Sequence, residues 1–326
     1  MPIDFANAQS TDVKTIPVID VSGAISGDGI NGVADAIYAA AINHGFFYIS
    51  NHGIDPVLME QVFAVSKVFF ELPEVDKQAV AVDRNQRGWL AQGMSRLQGS
   101  KTHDLKEVFF WGPNTEANDV DVLACKPLCA VNQWPENFPR LYEDLTPYYE
   151  AVCQMACCVM AAVAVSLDQP ANFFDKAYAK PLARGQMVYY PASTPQDDAE
   201  ARFGVAPHTD FGVLTVLLQD SSGGLQVRVK SGDWIEAPPI PGTLVCNIGD
   251  LLARWSNKRF ASTIHRVINR TSHARYSIPI FFDPHTETVI DPVDLGVSPD
   301  NSLFEPVCTG EYIMERNTKS FAQYKK

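Results

Sequence analysis

Basic charge is scarce in this 326-residue sequence: 26 lysines and arginines face 38 acidic residues, a net charge of -12. No basic field is present to hold nucleic acid or an anionic membrane, so neither is expected as a partner. A small acidic substrate gripped by a local arginine stays compatible with that balance. The N-terminus, Met1-Pro2-Ile3-Asp4, has neither the basic nor the apolar segment of a secretion signal. Long uninterrupted hydrophobic runs are also missing. The longest, Ala151 to Leu167, is broken by Gln154 and Ser166 and falls just short of a bilayer span, which points to a buried core helix. Repeats and low-complexity tracts are absent. The seven cysteines are an odd number without framework spacing, which argues against a disulfide scaffold. Cys153, Cys157 and Cys158 read as small hydrophobes on that helix, and Cys125 and Cys129 lack a second pair of metal ligands. A cytoplasmic location is the expectation that follows.

What is present has the composition of an ordinary globular protein, with 46% hydrophobic and 20% charged residues. Residues 16–20 read as a short strand, 33–43 as an alanine-rich helix and 44–49 as a strand. Residues 56–70 carry helical apolar spacing that Leu72-Pro73 stops. A long helix is expected from about 139 to 167. After residue 180 the texture changes to short strand-like runs at 186–190, 214–218, 225–229, 243–247, 262–269 and 276–282, divided by turn signals. Among these, Gly223 and Gly224 read as turn glycines. Many short strands with regular turns indicate a β-sandwich or jelly roll, here with a mostly helical N-terminal half packed against it.

The chemistry concentrates in two clusters. Two histidines and one carboxylate are the set that holds a non-haem Fe(II) on one face and leaves positions open for oxygen and a co-substrate. His208 and Asp210 stand two apart, as residues on one face of a strand do, with Thr209 expected to face away. His265 would have to arrive from a distant strand. An isolated His-x-Asp is common and carries little weight alone. The second cluster adds weight: Arg275 and Ser277 are again two apart, with Pro279 and Phe281 on the same face. A planar guanidinium presents paired donors to a carboxylate, and a hydroxyl adds one more. Because 276–282 is apolar, Arg275 is expected to be buried and to need an anionic partner.

The run from His208 to Val227 resembles the Fe(II)- and 2-oxoglutarate-dependent oxygenases, and more narrowly their isopenicillin N synthase-like branch with the gibberellin and flavonoid oxidases. Asn247-Ile-Gly-Asp250, Ser262 to Val267, Arg275 to Pro279, Ile16 to Asp20 and His44 to Ile54 resemble the same branch, in one order from about 16 to 285. The resemblance implies an α+β chain whose core is a double-stranded β-helix (jelly roll). It places an N-terminal helical and short-strand region at 1–180 (signature about 16–130), the oxygenase core at 181–285 and a C-terminal tail at 286–326. It further implies iron on His208, Asp210 and His265, and 2-oxoglutarate gripped through its distal carboxylate by Arg275, Ser277 and Tyr190. Oxidative decarboxylation of 2-oxoglutarate to succinate and CO2 would be coupled to C–H oxidation of a small metabolite, with O2 as oxidant and ascorbate as a stimulant. Hydroxylation, desaturation and ring closure are the outcomes open to such an enzyme, in the manner of secondary metabolism. Val188 departs from the asparagine common in plant relatives, which removes one polar contact beside the co-substrate.

His44 and His52 read as structural, His103, His273 and His285 as surface or loop residues, and Asp250 as a turn buttress. For the substrate pocket the candidates are Phe281 and the segment from Trp89 to Trp111, whose aromatics suit a mostly apolar molecule. Arg96 reads as solvated. The closest rival is an isopenicillin N synthase-like oxidase that does not use 2-oxoglutarate. A cupin-type binding module is disfavoured because the close set of several histidines and a glutamate is lacking, and a zinc hydrolase on the same triad because hydrolysis does not require the Arg275-Ser277 pair. Oligomeric state is not legible.

Overall fold

Helix α1 (Ser22–Ser26) and the alanine-rich α2 (Ile30–Asn43) lie between strands β1 (Val18–Asp20) and β2 (Phe46–Ser50) in this computed structural model, which describes residue 8, residues 16–96 and residues 102–321. α3 (Pro56–Glu71) starts where Asp55 accepts the Val57 N–H at 2.9 Å and Pro56 supplies a preset first turn. It stops at Leu72, whose extended backbone before Pro73 cannot continue the helix. α4 (Glu74–Gln78), β3 (Gly88–Leu90), β4 (Glu107–Trp111) and α5 (Val120–Leu123) lead to α6 (Arg140–Ser166).

By length and composition α6 could cross a membrane. Here it packs against α1, α2 and α3, and Leu141, Leu145, Tyr148, Val152, Val159 and Val163 repeat at helical spacing on its buried face. Of the three cysteines expected to pack along it, Cys157 turns outward instead, because it lies off that stripe. All seven cysteines are free.

The second half supplies β5 (Leu182–Tyr190), α7 (Pro195–Ala199), β6 (Val205–His208), β7 (Leu214–Gln219), β8 (Leu225–Arg228), β9 (Trp234–Glu236) and β10 (Leu244–Ile248). After α8 (Asp250–Trp255) come β11 (His265–Val267) and β12 (Arg275–Asp283). Eight strands form the major sheet in the order β1-β2-β10-β7-β12-β5-β4-β3, and β6-β11-β8-β9 form the minor one. The two inner faces enclose an apolar cluster, from Tyr48 and Val188 on one side to Val227 and Val267 on the other. Strands from the first 180 residues therefore extend the same sheet as the jelly-roll strands. Residues after 285, expected as a tail, add β13 (Val289–Ile290), β14 (Val307–Cys308) and a twelve-residue helix, α9 (Thr309–Ser320).

Gly223 and Gly224 occupy the turn into β8 with φ of +75° and +83°. A Cβ on Gly224 would stand 2.1 Å from the Ile268 carbonyl oxygen, whereas one on Gly223 would meet nothing closer than Pro239 Cδ at 3.8 Å. Gly224→Ala should therefore cost at least about 2 kcal/mol and Gly223→Ala only about 1 kcal/mol, the left-handed penalty alone. Urea denaturation of both variants checks this; equal losses would show that the close approach at Ile268 relaxes freely.

Candidate active site

Cross-strand register assembles the site. His265 on β11 sits opposite His208 at the end of β6. On the facing sheet Asn247 of β10 lies opposite Thr215 of β7, and Thr215 opposite Phe281 of β12. Farther along, Arg275 and Ser277 lie opposite Tyr190 and Val188 of β5. The two pairs singled out in the sequence thus occupy one cavity, which Phe281 also lines.

The ligand atoms of His208, Asp210 and His265 all lie within 4.8 Å of one another. Each imidazole points Nδ1 at a backbone carbonyl two residues back, Ala206 at 2.8 Å and Thr263 at 3.1 Å. That contact fixes the Nδ1–H tautomer and leaves both Nε2 atoms free, each 3.6 Å from Asp210 Oδ1. The other carboxylate oxygen, Oδ2, accepts from Thr215 Oγ1 at 2.5 Å and Asn247 Nδ2 at 2.7 Å. One oxygen is anchored and its twin is turned toward the histidines. Burial, helped by the neighbouring His265, pushes His208 well below the ordinary imidazole range, so the neutral ligand form is favoured. Burial opposes the Asp210 anion, but the two imidazoles and the bonds from Asn247 and Thr215 outweigh it and hold that carboxyl low.

β6 ends at His208, so strict alternation does not place the next two residues. Contrary to expectation, Thr209 lines the cavity while its hydroxyl donates to Asp250 at 3.2 Å. Asp250 also accepts from Ser262 at 2.7 Å and pairs with Arg316 of α9 at 3.4 Å. Expected to buttress a turn, Asp250 instead ties together three separate segments, at Thr209, Ser262 and Arg316.

Arg275 is 1% exposed. Its Nε donates to the Gly223 carbonyl at 2.6 Å and its guanidinium lies 4.7 Å from the Tyr190 ring centroid. Among the described residues neither terminal nitrogen has a hydrogen-bond partner. A buried cation with two unmet terminal nitrogens fits a planar carboxylate, such as the end of 2-oxoglutarate that a metal would not hold. The Ser277 and Tyr190 hydroxyls, 3.5 Å apart, stand beside it. Val188 lines the wall there and offers no polar atom.

Several lining residues were not anticipated. Arg184 donates to Asp283 at 2.8 Å and to Gln86 at 3.2 Å, and its guanidinium lies 5.3 Å from the Phe281 ring. Burial lifts the Asp283 carboxyl above its usual range, while Arg184 and the Val213 N–H oppose that rise. Lys106, Phe211, Gln186 and Asn317 also line the cavity. Among the described residues, the segment from Trp89 to Trp111 contributes only Lys106 to the lining; Phe109, Phe110 and Trp111 are buried in the core. Arg96 is exposed and lies outside the lining. His103 and His273 are exposed, but His285 is half-buried against Asp121 at 3.2 Å. Asp121, His285 and Glu287 could group around an ion, yet Lys126 and Lys180 already neutralise the cluster.

Comparison with known proteins agrees with this geometry. Residues 16–137 match the family described as non-haem dioxygenase in morphine synthesis N-terminal, and 184–284 match the 2OG-Fe(II) oxygenase superfamily. A 2-oxoglutarate-Fe(II) type oxidoreductase of Aspergillus fumigatus is 34% identical over 256 residues, covering 77% of this chain and 76% of the relative. Homoarginine-6-hydroxylase 2-ODD-233 of Oryza sativa subsp. japonica is 31% identical, covering 95% and 99%. A full-length Neurospora crassa protein, solved in complex with alpha-KG (2-oxoglutarate), superposes with a TM-score of 0.82 at 31% identity, covering 92% of this chain and 95% of that one. A further structure of the same Neurospora protein holds thymine as well. The chain belongs to the 2OG-Fe(II) oxygenase superfamily. It is an Fe(II)- and 2-oxoglutarate-dependent dioxygenase with a jelly-roll core.

If Asn247 and Thr215 aim the Asp210 carboxylate, Asn247→Ala and Thr215→Val should each weaken Fe(II) binding about ten- to hundred-fold without unfolding the chain. Chelator competition under nitrogen measures this, and unchanged affinity in folded variants would contradict the role.

Proposed function

We propose that His208, Asp210 and His265 hold the iron, and that Arg275, with Ser277 and Tyr190, holds the distal carboxylate of 2-oxoglutarate. Iron so bound supplies oxygen activation driven by decarboxylation of the keto acid to succinate and CO2, with oxidation of a substrate C–H bond. The chain's own work is placement. Carbonyl contacts fix the imidazole tautomers, Asn247 and Thr215 aim one carboxylate oxygen, and the apolar walls exclude water. The observation that carries the co-substrate assignment is the buried guanidinium with both terminal nitrogens unpartnered among the described residues. The alpha-KG bound in the Neurospora structure supports this reading over an oxidase that does without 2-oxoglutarate. What is oxidised is a small molecule at the Phe281 end of the cavity. Relatives differ there: one is named for homoarginine and another was solved with thymine.

Anaerobic addition of Fe(II) and 2-oxoglutarate should give a visible charge-transfer band, and admitting oxygen should release succinate. Arg275→Ala should weaken 2-oxoglutarate binding by roughly thirty-fold, since a charged hydrogen-bond partner is worth about 2 kcal/mol. Retained affinity in that variant would mean another cation holds the carboxylate.

A further inference from the structure

The cavity's charges come in two kinds. Arg275 alone has no carboxylate against it among the described residues, and 2-oxoglutarate accounts for it on the reading above. The other ions that line the cavity are matched. Arg184 is held by Asp283 at 2.8 Å, with the Asp283 second oxygen on the Val213 N–H at 2.7 Å. Lys106, 8% exposed, lies 3.4 Å from Asp104. Asp210 faces the metal position, and the divalent iron with Arg275 outweighs Asp210 and balances the dianion. Among the described lining residues no ion is left over to neutralise a charged substrate, and burying an unpaired ion is costly.

Unpartnered polar donors are left over among the described lining residues, none of them on a group with unbalanced charge. The Asn317 side chain, 1% exposed on α9, lines the cavity with its Nδ2 unpartnered among the described residues. The Arg184 Nε is likewise without a partner there. Gln186 adds an amide to the same wall. Phe211 and Phe281 line the space too, each with a guanidinium against its ring, Arg316 at 4.7 Å and Arg184 at 5.3 Å. Unmet N–H donors ask for carbonyl oxygens, and aromatic rings in the lining favour a flat partner.

We propose that Arg184, Gln186, Phe211, Phe281 and Asn317 receive an uncharged planar molecule bearing an amide or imide carbonyl, and reject carboxylates and cations of the same shape. The proposal rests on the placement of 2-oxoglutarate at Arg275.

Benzamide, benzoate and benzamidinium share one shape and differ in charge, so they isolate the effect of charge. Their dissociation constants are measured by anaerobic calorimetric titration of the full chain with Fe(II) and saturating 2-oxoglutarate, which prevents Arg275 from capturing benzoate. Benzamide should bind at least about ten-fold more tightly than either ion. Asn317→Asp places a carboxylate at the wall and should move the ratio about ten-fold toward benzamidinium. Gln186→Glu should do the same and serves if the first variant does not fold. An ion binding as tightly as benzamide, no binding by any of the three at tens of millimolar (roughly the weakest useful fragment range), or an unmoved ratio in a folded variant would overturn the proposal. The charge-transfer band reports the co-substrate reading separately, so the two can fail independently.

Discussion

A guanidinium that has been taken out of water needs an anion, and Arg275 has been taken out of water without one among the described residues of its own chain. That unmet requirement organises the site. The Gly223 carbonyl and the Tyr190 ring hold the group in place, so its remaining donors are preset rather than searching. Such a cation is destabilising while it stands alone, and a carboxylate that enters offsets the penalty. The strand register then decides what that carboxylate can reach, because Arg275, Ser277 and Phe281 step along β12 on one face toward the level of Thr215 and Asp210.

At the metal end the same logic of placement recurs with different atoms. Backbone carbonyls set the imidazole tautomers, and a buried amide and hydroxyl set the carboxylate, so that both Nε2 atoms stand 3.6 Å from Asp210 Oδ1. The helix α9 matters here although it is far along the chain. Its Arg316 braces Asp250 behind the triad, and its Asn317 faces the cavity. What lies C-terminal to the jelly roll is thus part of the site.

Much of this was readable from residue order. The Arg-x-Ser pair rests on short-range alternation, which survives in a strand that stays regular, whereas Asp210 lies past the end of β6 and, with His265 and Tyr190, rested on the family resemblance. α3 and α6 were legible for a similar reason, since apolar period and a Leu-Pro stop are local. Thr209 went wrong because β6 ends one residue earlier, and beyond the strand end alternation no longer sets direction. Phe109, Phe110 and Trp111 were misread for the pocket because an aromatic run looks alike whether it faces a ligand or a core. Arg184 with Asp283, and Asn317, were invisible because their meaning depends on partners about a hundred residues away or on a helix in an unsignalled tail. Asn247 was the near miss: it stood in a noticed motif, but only the register opposite Thr215 shows that it serves Asp210.

An anaerobic crystal structure of the chain with Fe(II) and 2-oxoglutarate tests the central claim most directly. The account predicts iron on His208, Asp210 and His265 and the distal carboxylate on both terminal nitrogens of Arg275. A carboxylate seated on Lys106 or Arg184, with Arg275 still unpartnered, would contradict it.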